Sequence, residues 1–443
     1  MKKYILVPVL AALSFSGMVA QDFDTDPVVN IKKDDVKFTV GARMMADVAY
    51  YHSDFTPVKS GAALTDARIR TSMEYKNWYF YADFDFSKGK FAQKNLFLQY
   101  SMEKDKGTHA FKAGYYNNPA TMANNTSRGS LHFISRAAPA NAMSPGRELG
   151  LSYIFYNNQF LANQGVFAEN LYNDQIAGFQ GVTFGGRWLW RPINDENNTL
   201  HVGVNFRYAN ICTGEVYNNT LKTEYTIGTS LETYVDPTKQ FVSATMPWAK
   251  NVYDLGAELL YKNDNFFIRG EYMYKTVTKE RDDQTLFEAN LGSIDSWGTL
   301  ESWQKGNPLG TNKFHGGYVE AGYKIFGNPY KYSNSEGLLK GFDGKSLEVV
   351  ARYSYVGLND IVEGERYVAG RDQYYPNGVL ADYPATSLSI GGGNMHSATI
   401  GVNYSFNKFA QLLVSYTYNK LDRDKYVYDE NFNTVQARLM FQF

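Results

Sequence analysis

The 443-residue sequence holds one cysteine, Cys212, which excludes an intramolecular disulfide. A chain this long, if exported to an oxidising compartment, therefore needs another source of stability. Cys212 has no histidine three or four residues away, so it does not read as a metal ligand either. Long apolar runs are also missing. Beyond the N-terminus there is no apolar stretch long enough to cross a bilayer as a helix, and mean hydropathy is −0.40. Charge of one sign is lacking as well: 44 Lys and Arg against 45 Asp and Glu give a net charge of −1. That balance argues against nucleic acid as a partner. No HExxH, phosphate-cradling glycine loop or nucleophile elbow occurs, and the six histidines are scattered without ligand spacing. The sequence predicts no enzyme, no cofactor and no metal.

What is present is aromatic and periodic. Aromatics make up 16% of the chain, with 35 Tyr. Residues 1–20 read as a signal peptide: Lys2 and Lys3, the apolar stretch Ile5 to Phe15, and Ala20 before Gln21 at the cleavage point, with Met18 larger than usual at the −3 position. Residues 21–35 read as a short periplasmic segment. From residue 36 to the last residue the chain alternates. Val36, Phe38, Val40, Ala42, Met44, Ala46 and Val48 interleave with Lys37, Thr39, Gly41, Arg43 and Asp47. This is the two-residue period of a strand. In 36–48, 63–75 and 78–86, every Asp, Glu, Lys and Arg falls on one face.

Alternation alone fits either a soluble sandwich, whose apolar face meets a second sheet, or a membrane barrel, whose apolar face meets lipid. Connection lengths favour the barrel. The pattern gives sixteen segments: 36–51, 63–75, 78–86, 94–103, 108–116, 148–157, 159–170, 179–191, 199–209, 251–262, 265–276, 314–325, 345–355, 395–405, 409–419 and 433–443. Tight turns at Lys76-Asn77, Asn263-Asp264 and Asn407-Lys408 alternate with long links at 117–147, 210–250, 277–313 and 356–394. Outer-membrane barrels place short turns on the periplasmic side and long loops outside. The 327–344 connection breaks this rhythm by being too long. Tyr50, Tyr51, Trp78, Tyr115, Tyr116, Trp188 and Trp190 at segment ends are expected in interfacial girdles, and the closing strand 433–443 ends on Phe443, as outer-membrane assembly signals do. The expected fold is an all-β transmembrane antiparallel β-barrel of about 16 strands over 36–443.

The segment 117–147 stands apart. It carries Arg128, Arg136, Arg147 and His132 and no Asp or Glu. We expect it to fold into the barrel mouth and narrow it. By parity Arg43, Arg68, Arg70 and Lys112 project inward, as do Arg187, Arg207, Arg269, Arg352 and Arg438, together with numerous acids such as Asp47, Asp66, Glu258, Glu271 and Glu320. Asp83 and Asp85 share a face, but two carboxylates on a wet wall need no catalytic explanation. Arg43, Arg68, Arg70, Lys112, Arg128, Arg136 and Arg147 are the candidate pore and anion-binding residues, because unpaired positive charge between low-dielectric walls concentrates anions.

Several stretches in order along the chain resemble the phosphate-selective porins O and P of Gram-negative outer membranes. They are Phe38 to Arg43 (FTVGAR), Trp78 to Phe86 (WYFYADFDF), Ser135 to Ala140 (SRAAPA), Pro145 to Gly150 (PGRELG), Gly165 to Asn170 (GVFAEN), Gly270 to Asp283 (GEYMYKTVTKERDD) and Leu439 to Phe443 (LMFQF). The resemblance implies a sixteen-stranded barrel in the outer membrane, a homotrimer, and a third long extracellular loop folded into the lumen. It also implies an anion path of inward arginines and lysines, of which Arg43 matches one wall position. The sequence departs from the family in having no lysine in 117–147, only Lys222, Lys239 and Lys250 in 210–250, and Asp66 where a wall arginine falls. The function expected is passive diffusion of small anions such as phosphate or carboxylates. The alternative is a general or oligosaccharide-permeable porin. Outer-membrane lipid would cover the apolar face in either case.

Overall fold

The computed structural model describes residues 29–443 except 34, 54–57, 169–180, 212–214, 218–219, 223, 238–239, 291–297, 363–366, 370–387 and 423–430. Residues 1–20, expected to be a signal peptide, and Cys212 lie outside the described residues.

Sixteen strands form the wall. The first eight are β1 Val36–His52, β2 Gly61–Tyr75, β3 Trp78–Asp85, β4 Ala92–Lys104, β5 Gly107–Asn117, β6 Arg147–Tyr156, β7 Phe160–Ala168 and β8 Val182–Asn194. The rest are β9 Asn198–Asn210, β10 Ala249–Asn263, β11 Phe266–Lys279, β12 Asn312–Phe326, β13 Ser346–Asp360, β14 Ser389–Ser405, β15 Ala410–Asp422 and β16 Asn431–Gln442. Each pairs antiparallel with the next, and β16 closes on β1 from Arg43↔Gln442 to His52↔Asn433. A closed barrel leaves no strand edge to aggregate and needs no disulfide. Beyond the closing strand, Val29–Lys33 pairs with β1 from Val29↔Val40 to Lys33↔Val36.

Burial along the strands is inverted relative to a soluble protein. On β1, Arg43 and Asp47 are buried while Met44, Val48 and Tyr50 are exposed. Elsewhere Leu255 and Ile400 are 60% and 63% exposed, against 5% for Arg352 and 1% for Arg438. A sandwich buries its apolar face, so this inversion excludes one and assigns the charged face to the barrel interior.

Two readings of the sequence need correction. The turn expected at Asn263-Asp264 lies one residue later, at Asp264 and Asn265, because Asn263 is still paired with Phe266 and the positive φ falls on Asp264. Tyr51 and Tyr116 are not girdle residues. Adjacent strand residues face opposite sides, so Tyr50 is exposed whereas Tyr51 turns inward and bonds Thr233 and Val235. Tyr116 bonds Ser152 in the same way. The over-long 327–344 connection contains a small hairpin, Tyr332–Ser333 against Leu338–Leu339, whose role is described next.

Candidate functional site

The loop between β5 and β6 makes two short helices, α1 Met122–Asn125 and α2 Ala138–Met143. Their alanines and asparagines are too short to form a core of their own, and the loop is held by acids from elsewhere. Glu271 of β11 accepts from the backbone N–H groups of Met122 and Ala123 at the start of α1, and from the Tyr318 hydroxyl at 2.7 Å. Glu232, in the β9–β10 connection, accepts from the Ala138 N–H at 2.7 Å at the start of α2. Glu348 of β13 pairs with His132 at 2.8 Å, and Asn403 of β14 donates to both Glu348 and the His132 carbonyl. These charge-assisted bonds suit helix starts, whose amides have no internal partner.

A second insertion comes from the short-turn side. In the β12–β13 connection, the Glu336 and Gly337 carbonyls accept from Arg187 at 2.7 and 2.8 Å, and the Asn334 carbonyl accepts from Arg191 at 3.0 Å. The Tyr332 hydroxyl bonds His201, and the Tyr330 hydroxyl donates to Glu348. Gly337 is required there: its φ is +66, and a Cβ would stand 2.2 Å from Leu189. Glu348 thus ties the loop and the hairpin to one wall carboxylate.

Between them lies a cavity of about 1090 Å³. All seven candidate residues, Arg43, Arg68, Arg70, Lys112, Arg128, Arg136 and Arg147, line it. Counting the whole lining, ten Lys and Arg side chains face three Asp and Glu, so its sign is positive. The seven differ in how they are held. Arg43 makes two bonds to Asp66, at 2.9 and 3.0 Å. Arg68 also reaches Asp66 at 2.9 Å and Asp83 at 2.9 Å, and Arg128 stands 3.5 Å from Asp66. One buried carboxylate is therefore shared by three guanidiniums. Arg70 donates to the Ala42 carbonyl oxygen and to a carboxylate oxygen of the terminal residue Phe443. The Lys112 ammonium sits 3.8 Å from the Phe97 ring centroid and 4.4 Å from that of Tyr116. Arg136 donates to the Ala123 and Thr126 carbonyls, both at 2.8 Å, and Arg147 to Asn95 at 3.0 Å. Among the described residues no side-chain carboxylate pairs with Arg70, Lys112, Arg136 or Arg147; Arg70 alone of these meets the carboxylate of the terminal residue Phe443. Glu148, next to Arg147 in sequence, instead serves Arg207 and Asn118.

Away from the cavity many interior cations are neutralised, although Arg191, Lys262 and Lys324 bond backbone carbonyls instead. Arg207 pairs with Glu148 and Asp254, Lys275 with Asp254, Arg438 with Asp47, and Arg269 and Arg352 share Glu320, with Arg352 also on Glu232. Arg187 spans both regions, lining the cavity while paired with Glu258 at 2.7 Å. Asp83 and Asp85 are likewise occupied, by Arg68, Lys94 and Ser87.

Sequence reasoning had not singled out Lys340, Glu232 or the inward rings Tyr79, Tyr81 and Phe97 as site residues. Lys340 sits in the connection that broke the alternation, which was the available signal. The parity of Tyr79 and Tyr81 with Asp83 was the signal for the rings. Glu232 lies outside any strand and had none.

The fold matches solved outer-membrane channels. The anion-selective porin of Comamonas acidovorans is 11% identical, covering 92% of this chain and 100% of that one, with TM-score 0.51. The channel DcaP of Acinetobacter baumannii is 12% identical, covering 93% and 99%, with TM-score 0.52. The trimer form of OmpT of Vibrio cholerae is 10% identical, covering 93% and 100%, with TM-score 0.52. No curated protein matches the sequence. At these identities the likeness speaks for the fold alone, whereas the family model of the phosphate-selective porins O and P matches residues 38–443. With its inverted barrel and basic lumen, the chain belongs to the phosphate-selective porin O and P family and is a diffusion porin of the Gram-negative outer membrane.

Proposed function

We propose that the protein is a passive, anion-preferring porin whose constriction is the 118–146 loop, folded into the lumen against the β11–β14 wall and facing β1–β5 across the cavity. The carrying observation is the cavity lining of ten basic against three acidic side chains. A positive field between low-dielectric walls raises the local anion concentration and repels cations. Small anions such as phosphate or carboxylates fit the guanidinium donors. No chemical step is assigned to the interior. Residues 1–20 are read as an export signal and 21–35 as a periplasmic segment. Outer-membrane lipid would cover the exposed apolar face, and three copies would assemble as in the trimer form of the Vibrio relative.

Reversal potentials of the purified protein in planar bilayers, under a potassium chloride gradient and then with phosphate or succinate, test the reading. An anion-preferring potential is expected. A potential of zero or of cation sign would overturn it in favour of a general diffusion pore.

A further inference from the structure

The cavity is not lined by charge alone. Four inward rings run across three neighbouring strands: Tyr79 and Tyr81 of β3, Phe97 of β4 and Tyr116 of β5. Their successive centroids stand 6.2, 5.4 and 5.9 Å apart, and the first two pairs are inclined by only 26° and 27°. All four line the cavity. Water-filled lumens do not need such a strip. Tyr79, Tyr81 and Phe97 are half-buried and keep apolar surface wet, a cost that a passing solute with an apolar face relieves, while Tyr116 is buried.

Cations flank the strip. The Lys112 ammonium lies over Phe97 and Tyr116, and Arg70 lies on the inward face of β2 one strand from Tyr81. Amides are close as well. Gln99 stands opposite Lys112 in register, and Asn125 shares the lining. Their amide nitrogens donate to Ser101 and to the Pro119 and Thr121 carbonyls, so it is their amide oxygens that face a solute's hydroxyls. Asn95 is spent on Arg147 and Asp83. The acid Glu336 also lines the cavity, on the hairpin side.

Three chemistries meet here: ring faces, fixed positive charge, and side-chain amides able to bond hydroxyl groups. We infer that this strip is a binding track for pyranoses bearing an anionic group, such as a sugar phosphate or a uronic acid. The apolar face of the sugar stacks on the rings, the anion meets Lys112 or Arg70, and the hydroxyls meet the amides. A purely aromatic anion would leave the amides unused, and inorganic phosphate would leave the rings unused. The inference rests on the anion-preferring reading and narrows its solute class.

Half-blocking concentrations of single-channel current in planar bilayers test it, with glucose, inorganic phosphate, glucose 6-phosphate and glucuronate as probes on the intact protein. Glucose 6-phosphate and glucuronate should each block at concentrations about tenfold below glucose and below phosphate. The paired substitution Tyr79→Ala with Tyr81→Ala should raise the glucose 6-phosphate value to that of phosphate, and Lys112→Gln should raise it toward that of glucose. If glucose 6-phosphate blocks no better than phosphate, the rings contribute nothing and the track is overturned. Equal block by glucose and glucose 6-phosphate overturns it too, in favour of a neutral-sugar site. These wild-type comparisons stand even if a variant fails to assemble. Failure of the underlying reading is visible separately, as an unselective reversal potential in salt without any sugar.

Discussion

Two sides of one lumen treat the same residue types in opposite ways. Across β9–β13, buried arginines sit on buried acids: Arg207 on Glu148 and Asp254, Arg269 and Arg352 on Glu320. There the interior is also covered by α2 and the β9–β10 connection, through Arg352, Ser354 and Ala138 on Glu232. On the β1–β5 side, Arg43, Arg68 and the loop's Arg128 compete for Asp66, Arg70 has the Ala42 carbonyl and the terminal carboxylate of Phe443, and Lys112 has ring faces as its neighbours. The lesson is that counting inward charges does not locate a pore. The sequence shows acids and bases alternating all round the wall, but the cavity is where several basic side chains without a side-chain carboxylate partner border the same open space.

The comparison can be broken most forcefully on the paired side. Glu320→Ala would leave Arg269 without its counter-ion and Arg352 with Glu232 alone, a loss of about 3–5 kcal/mol for a buried pair. Its heat-modifiable gel transition should fall well below that of wild type. Lys112→Gln, by contrast, should leave that transition nearly unmoved while shifting the reversal potential toward cations. If Lys112→Gln destabilises as Glu320→Ala does, the two sides are not different in kind.

The next effect concerns the shared anchor. Glu348→Ala removes the acceptor of His132, Tyr330 and Asn403 together. Each orphaned buried donor costs about 1–3 kcal/mol, so the loop and the hairpin should both loosen. Single-channel traces should become noisier with a larger mean conductance, whereas an unchanged trace would show that the backbone bonds to Glu271 hold the loop alone. A gentler change follows from replacing 330–343 by a tight turn. Conductance should rise, and anion preference should fall modestly with the loss of Lys340.

The smallest effects separate loop from wall. Arg136→Gln should move selectivity less than Lys112→Gln, because the Arg136 guanidinium is spent on the Ala123 and Thr126 carbonyls. Raising the salt from 0.1 to 1 M shortens the screening length from about 10 to about 3 Å. Anion preference should then fade in wild type and change little in Lys112→Gln.

Much of the fold was legible because a barrel strand repeats every two residues and must keep its charged side off lipid. Each of the sixteen segments corresponds to a strand, with ends displaced by a few residues. The inward parity of Arg43, Arg70 and Lys112 follows from the same rule. The girdle reading failed at Tyr51 and Tyr116 because it treated neighbouring aromatics as one cluster, although adjacent strand residues point apart. Glu148 could not be assigned to Arg207 from the sequence, since 59 residues separate them and only curvature of the wall brings them together.

By itself, then, the amino-acid order determined the number of strands, which face of each is charged, and the want of acids in the β5–β6 loop, all consequences of local period and composition. The tertiary structure alone decided which arginines are cancelled. Ion pairing depends on distances between side chains from strands far apart in sequence, and those distances exist only once the wall has closed.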